Sequence, residues 1–189
     1  MDKTKVEPLH LAYRLLNPGS VVIVSVGNGQ RDNLFAVTWN MPLRKNPPMM
    51  ALLSGKGHHS YPFIAETGEF GINIMTADKV DALYGVGTTS GQEVQDKFAK
   101  FGLTRQKAHQ IKPPLVAEAV ASLECRVCQA VDMGASTLLI SHILEATADR
   151  KHFQGGNWLF EQGLELIHHL GASRFCVSGK EIRAKPADK

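Results

Sequence analysis

Short apolar runs separated by turn residues dominate this chain, and their spacing predicts strands rather than long helices. Residues 20–27 (SVVIVSVG) are apolar almost without interruption, the pattern of a strand buried on both faces. An Asn-Gly turn in GNGQRD follows, and residues 33–40 (NLFAVTWN) return as the second strand of a hairpin. Further strands are predicted at 49–54 (MMALLS), 69–75 (EFGINIM), 121–131 (ASLECRVCQAV) and 136–149 (STLLISHILEATAD). The last two are joined by DMGA and form a second hairpin, and a final apolar stretch, RFCVSG, lies near the end. Helical patterns are few and short: PLHLAYRLL, PFIAET, ADKVDALYG and DKFAKFG. Strands do not alternate with long helices, so a parallel sheet is not expected. A mainly β, antiparallel barrel with a few short helices over its openings is, because closure removes exposed strand edges.

Composition narrows the reading. With 189 residues, 43% of them hydrophobic and 21% charged, the chain is expected to fold as one domain over 1–189, with the polar stretch 180–189 as a fraying tail. The net charge is only +3 and the cations are scattered, so no nucleic-acid partner is signalled. No window is apolar enough to span a bilayer and MDKTKVEPLHLAYRLL does not read as a signal peptide, so a soluble, cytoplasmic protein is expected. The three cysteines do not suggest a disulfide framework. Cys125 and Cys128 lie three apart on a predicted strand, which puts them on opposite faces and argues against a redox pair or half a zinc site.

Three stretches gather candidate chemistry. In SGKGHHSYPFIAETG (54–68), Tyr61 precedes a proline suited to a first helical turn, which places a helix N-terminus near Ser60. Lys56, His58, His59 and Ser60 add side-chain donors there, while Gly55 and Gly57 admit close backbone approach. The stretch reads either as a phosphate site or as a cap with solvated cations. In the second stretch, Asn33, Thr38 and Asn40 surround Trp39, the combination a planar polar ring system would want, although packing in a core is the commoner fate of a tryptophan. The third, GVGTTSGQEVQDKF (85–98), is glycine-rich but matches neither a P-loop nor a dinucleotide fingerprint; it reads as a mobile loop beside a pocket, with Lys97 as a nearby cation. The doublets His58-His59 and His168-His169 lack further ligands at metal spacing, so no metal site is expected.

Together these stretches resemble the flavin reductase-like family, the FMN-binding split barrels that include flavoredoxins. The resemblance runs from about Pro18 to Phe175. It is carried by Asn33 with TWN, by NPPMMALLSGKGHHSYPFIAETGEFGIN, by DKFAKFGLT, by PPLVAEAVASLECRV and by HLGASRF. It implies an antiparallel Greek-key split barrel, a homodimer, and FMN near the subunit interface. Thr38 and Trp39 would lie along the isoalloxazine, Ser54 to Ser60 would take the phosphate, Lys97 would approach the flavin or its ribityl chain, and His169 would stand near the cofactor. The chain departs from the family at four places. Ser60 replaces a frequent threonine, His58 a common arginine, GAS a more usual double glycine, and Ser136 a histidine of some members. The implied activity is electron transfer from NAD(P)H through FMN to a small-molecule or protein acceptor, with no acid, base or nucleophile required of the protein. The alternatives are a flavin-binding electron carrier without its own nicotinamide site, or a barrel that has lost its cofactor.

Overall fold

The computed structural model describes Pro8, residues 14–16 and residues 19–184. The first predicted helix falls largely outside them. Fourteen strands appear: β1 Gly19–Ser20, β2 Val22–Gly27, β3 Asp32–Val37, β4 Asn40–Arg44, β5 Met49–Gly55, β6 Glu69–Ile74, β7 Arg105–Gln106, β8 Leu115–Val116, β9 Ala121–Asp132, β10 Ser136–Ala148, β11 Phe153–Gln154, β12 Asn157–Trp158, β13 Ile167–Gly171 and β14 Arg174–Val177. Among the described residues three α-helices accompany them: α1 Tyr61–Thr67, α2 Val80–Thr88 and α3 Lys97–Lys100.

The main sheet has seven strands in the order β3-β2-β6-β9-β10-β5-β4, and every pairing in it is antiparallel. Its two edge strands, β3 and β4, follow each other in sequence with only Thr38 and Trp39 between them. Three Cα–Cα steps reach at most about 11 Å. The sheet must therefore roll until its edges nearly meet, which makes it a barrel with one unpaired seam. Trp39 stands at that seam and its carbonyl accepts from the Leu53 N–H of β5 at 3.0 Å.

Alternation along β2 explains why it reads as continuously apolar. Val22, Val24 and Val26 face the barrel interior with Phe35, Leu52, Phe70 and Cys125. Val21 and Ile23 belong to a second cluster outside the barrel, built with Leu34, Leu83, Val86 and Phe98 from β3, α2 and α3. Phe63 and Ile64 of α1 join the interior cluster, so that helix covers the barrel on its own side. Cys125 is buried, Cys128 is exposed, and burial pushes the Cys125 thiol up to about 12.

The predicted strand 33–40 is in fact two. β3 stops at Val37, and NMPLR, whose pattern shows no alternation and contains a proline, forms the edge strand β4. Gly85 and Gly87 belong to the end of α2 rather than to a loop. A Cβ on Gly85 would stand 2.3 Å from the Phe101 ring, and one on Gly87 would stand 3.0 Å from Ala36, so these glycines let α2 lie close against its neighbours.

Buried polar groups join the layers. Asn73 is fully buried on β6; its amide donates to Ile23 O and Ser25 Oγ, and its Oδ1 accepts from the Val116 N–H and the Ser122 hydroxyl. Buried Glu124 accepts from the His109 and Gln110 N–H groups, and Glu69 from the Lys112 N–H and the Arg126 guanidinium, so the segment between β7 and β8 is held against the sheet. Asn73→Ala would orphan the Val116 N–H and the Ser122 hydroxyl, each costing about 1–3 kcal/mol. A loss of about 3 kcal/mol or more is expected in denaturant unfolding, whereas Lys100→Ala on the surface should cost under about 0.5 kcal/mol.

Candidate functional site

Asn33 begins the site on β3, on the face it shares with Phe35. Its Nδ2 donates to Ser60 Oγ at 2.9 Å, and both residues are buried. Ser60 is the residue before α1, but its side chain does not cap the helix. Accepting from Asn33 leaves the Ser60 hydroxyl proton free to donate elsewhere. Tyr61 is the first helical residue and Pro62 follows it, one place later than the sequence suggests.

Lys97 forms the floor. Although it opens the short helix α3, it is only 4% exposed, and its Nζ donates to Leu34 O at 2.8 Å and to Val86 O at 3.0 Å. An ammonium has three donors, so one proton remains for a ligand. Burial depresses the Lys97 pKa from 10.5 to about 8, against a smaller opposing pull from Glu93. A buried cation with no carboxylate in contact is a ready seat for an anion.

Gly91 completes this pocket. A Cβ there would stand 2.5 Å from His59 and 2.8 Å from the Asn33 amide, so the loop after α2 presses its backbone onto the far wall. Asn33, His59, Ser60, Gly91 and Lys97 thus surround a cavity of about 290 Å³. Thr88, Thr89, Ser90 and Gln92 add hydroxyl and amide groups to it. Sequence reading did not single these four out, although the Thr-Thr-Ser-Gly run was the available signal.

The pocket is one end of a trough. Ala36, Gly87 and Thr88 are shared with a second depression of about 290 Å³, which is also lined by Thr38, His169 and Ala172. Thr38 is shared in turn with an apolar cavity of about 550 Å³ at the seam, where Trp39 and Asn40 stand beside Leu53 and Leu138. Trp39 is 53% exposed, so it is a wall of this cavity rather than a core residue. His169 Nε2–H donates to Ala172 O at 2.9 Å, which leaves Nδ1 as an acceptor. Ala172 has φ 51°, a left-handed conformation that glycine adopts more easily.

Several expected residues lie elsewhere. Ser54 alternates with Met50 and Leu52 on β5, which puts its side chain on the barrel-interior face, where its hydroxyl has no partner. Lys56 forms an ion pair with Asp132 at 2.7 Å and its N–H donates to Ala135 O, so it is drawn to the β9–β10 turn and away from the trough. Ser136 pairs with Gly55 beside that turn and is likewise absent from the trough walls. Gly55 lies under the His58 imidazole, 3.0 Å from where a Cβ would stand. Exposed His58 reaches the pocket rim, together with His59. Asn40 lines the seam cavity, but its amide is engaged by Ser20 O and Val37 O, and so it ties the seam. One group that the sequence did not suggest, His109, Glu124 and Glu145, brings possible ligand atoms within 4.8 Å. Its atoms are already taken by hydrogen bonds, Glu124 by two backbone N–H groups and His109 Nδ1 by Glu145 at 2.6 Å.

An anion pocket joined to an apolar seam along one strand is a familiar arrangement. The model of the flavin reductase like domain matches residues 14–169. The chain belongs to that family. It is 34% identical over 181 residues to the uncharacterized protein YddH of Escherichia coli K12, covering 93% of this chain and 95% of that one. Among solved structures, an FMN-binding domain of a flavin reductases-like enzyme from Shewanella baltica superposes with a TM-score of 0.81 at 27% identity, covering 96% of this chain and 97% of that one. The flavoredoxin of Desulfovibrio vulgaris (Miyazaki F) superposes with a TM-score of 0.83 at 24% identity and 97% coverage of both, a likeness of fold. The expected split barrel is therefore the observed one. No helix among the described residues is long and apolar enough to cross a membrane.

The Lys97 environment has a measurable signature. Its folded pKa lies below the unfolded value, so the unfolded chain binds the extra proton between the two. Unliganded protein should gain stability as pH rises from about 8 to about 10.4, and Lys97→Met should remove that gain when unfolding is followed across the range. Equal slopes for the two proteins would place the ammonium in solvent.

Proposed function

We propose that this chain is an FMN-dependent oxidoreductase that takes reducing equivalents from NAD(P)H and passes them to a small-molecule or protein acceptor. The observation that carries the reading is the buried Lys97 ammonium, which shares one pocket with the Ser60 hydroxyl and opens along β3 to Trp39. The residues present fit the cofactor. Ser60, His59 and Lys97 would hold the phosphate, with Gly91 allowing the loop backbone close. Thr38 and His169 would face the middle of the molecule, and Trp39 the ring.

Bound FMN supplies the hydride and single-electron chemistry. The protein's own residues bind and orient. Lys97 holds a positive charge that favours an anionic phosphate, and the two carbonyls hold it in place. Leu53, Leu138 and Trp39 would give the ring an apolar wall in the seam cavity. At the seam, Met41, which also lines the cavity, and Leu43 stand exposed on β4 beside Trp39. Such a row of apolar side chains next to an open site supports a homodimer whose second copy covers the ring end. A cytoplasmic location would fit the use of NAD(P)H proposed for this chain.

A second reading, a flavin-binding electron carrier without a nicotinamide site, makes the same use of the trough. Mixing the flavin-loaded protein with NADH or NADPH under anaerobic conditions separates them: bleaching of the flavin band supports the reductase, and its persistence until a partner reductase is added supports the carrier.

Affinity tests the phosphate seat. FMN binding should weaken as pH rises through about 8, where Lys97 loses its proton, and riboflavin binding should stay level. Lys97→Met should weaken FMN by tenfold or more at pH 7 and riboflavin by less than threefold. Flavin fluorescence quenching measures both. Equal losses for the two flavins would remove the phosphate assignment.

A further inference from the structure

We infer that Arg105 is a positioning residue of the anion pocket: it clamps α3 to β3 and so fixes where the Lys97 ammonium stands. The inference rests on the flavin reading above and concerns what holds that cation in place. α3 is one turn of four residues, too short to be stable by itself. Lys97 opens it, and its Nζ reaches back to the Leu34 carbonyl on β3 at 2.8 Å. The separation of α3 from β3 therefore decides whether the ammonium stays against that carbonyl.

One side chain spans the two elements. Arg105 Nε and Nη2 donate to the two carboxylate oxygens of Asp32 at 2.8 and 2.9 Å. Nη2 and Nη1 also donate to the Asp96 carboxylate, at 2.9 and 3.3 Å. Asp32 opens β3, two residues before Leu34, and Asp96 immediately precedes Lys97. Asp96 also caps α3, accepting from the Ala99 N–H at 3.0 Å. The guanidinium lies 4.4 Å from the ring centroid of buried Phe98, so it covers α3 as well as gripping its start. Arg105 is itself anchored, because β7 pairs with β8 and the Val116 N–H on β8 donates to buried Asn73 of the barrel. The Arg105 and Asp96 side chains are 41% and 48% exposed, and ion pairs so open to solvent add little to global stability. What the geometry leaves for the clamp is placement. A planar fork with two partners holds a distance that a single contact does not.

A double-mutant cycle on FMN and riboflavin affinity tests this. Arg105→Met should weaken FMN by about fivefold or more and riboflavin by less than about twofold; in a Lys97→Met background it should change FMN by less than about twofold. Asp32→Asn, which loosens the clamp at its β3 end alone, should act in the same direction and lose its effect in the same background. Unfolding across pH gives a second readout. An α3 freed from β3 lets the ammonium reach water, so the Lys97 pKa should rise from about 8 towards the ordinary value of about 10.4. Unpaired Asp32 and Asp96 would push it the same way, and Glu93, His58 and His59, the other charged or titratable groups near Lys97, are the same in every variant. The gain in stability between those pH values should therefore shrink by about half or more in Arg105→Met. Equal effects of Arg105→Met with and without Lys97, or an unchanged stability gain, would overturn the inference and leave the FMN reading intact. If the wild-type chain binds no FMN, the flavin reading falls, and the unfolding comparison alone decides the role of Arg105.

Discussion

Two residues between two edge strands determine the rest of this structure. Because Thr38 and Trp39 alone connect β3 to β4, the seven-stranded sheet cannot lie open, yet the two strands do not pair with each other. The result is a barrel with a slit. The slit exposes one wall of Trp39, and the same strand that ends there begins, six positions earlier in the chain, at the Asn33–Ser60 contact. A ligand lying along β3 thus meets a polar, cationic end and an apolar, aromatic end without any part of the protein having to move.

The polar end depends on a buried charge that the fold tolerates rather than neutralises. Lys97 is positioned by carbonyls from β3 and α2, not by a carboxylate, so its attraction for an anion is not already spent within the protein. Close packing brings those carbonyls together: Gly85 and Gly87 allow α2 to approach Phe101 and β3, and Leu83, Val86 and Phe98 seal the layer below. Stability and binding are linked here, since the desolvation that depresses the Lys97 pKa is the cost of holding the group ready.

Much of this was legible in the sequence, for reasons of periodicity. The uninterrupted run in β2 predicted a strand covered on both faces, and the parity of Cys125 and Cys128 placed them on opposite sides. Asn33, Ser60, Lys97, Thr38 and Trp39 were picked out and line one trough. Parity also explains a miss: read along the loop, Ser54 seemed part of the phosphate cluster, but strand β5 extends far enough to turn it into the barrel. Lys56 was lost to Asp132, a partner 76 residues away that no local pattern reveals. β4 escaped because an edge strand with one solvated face and a proline carries no alternation. Asn40 was read as a ligand contact because its tie to Ser20 joins segments that are distant in sequence.

The account stands most directly on a crystal structure of the protein grown with excess FMN. It predicts phosphate oxygens within hydrogen-bond distance of Lys97 Nζ and Ser60 Oγ, and the tricyclic ring against Trp39 at the seam. Flavin found elsewhere, with the Lys97 pocket empty of any anion, would contradict it.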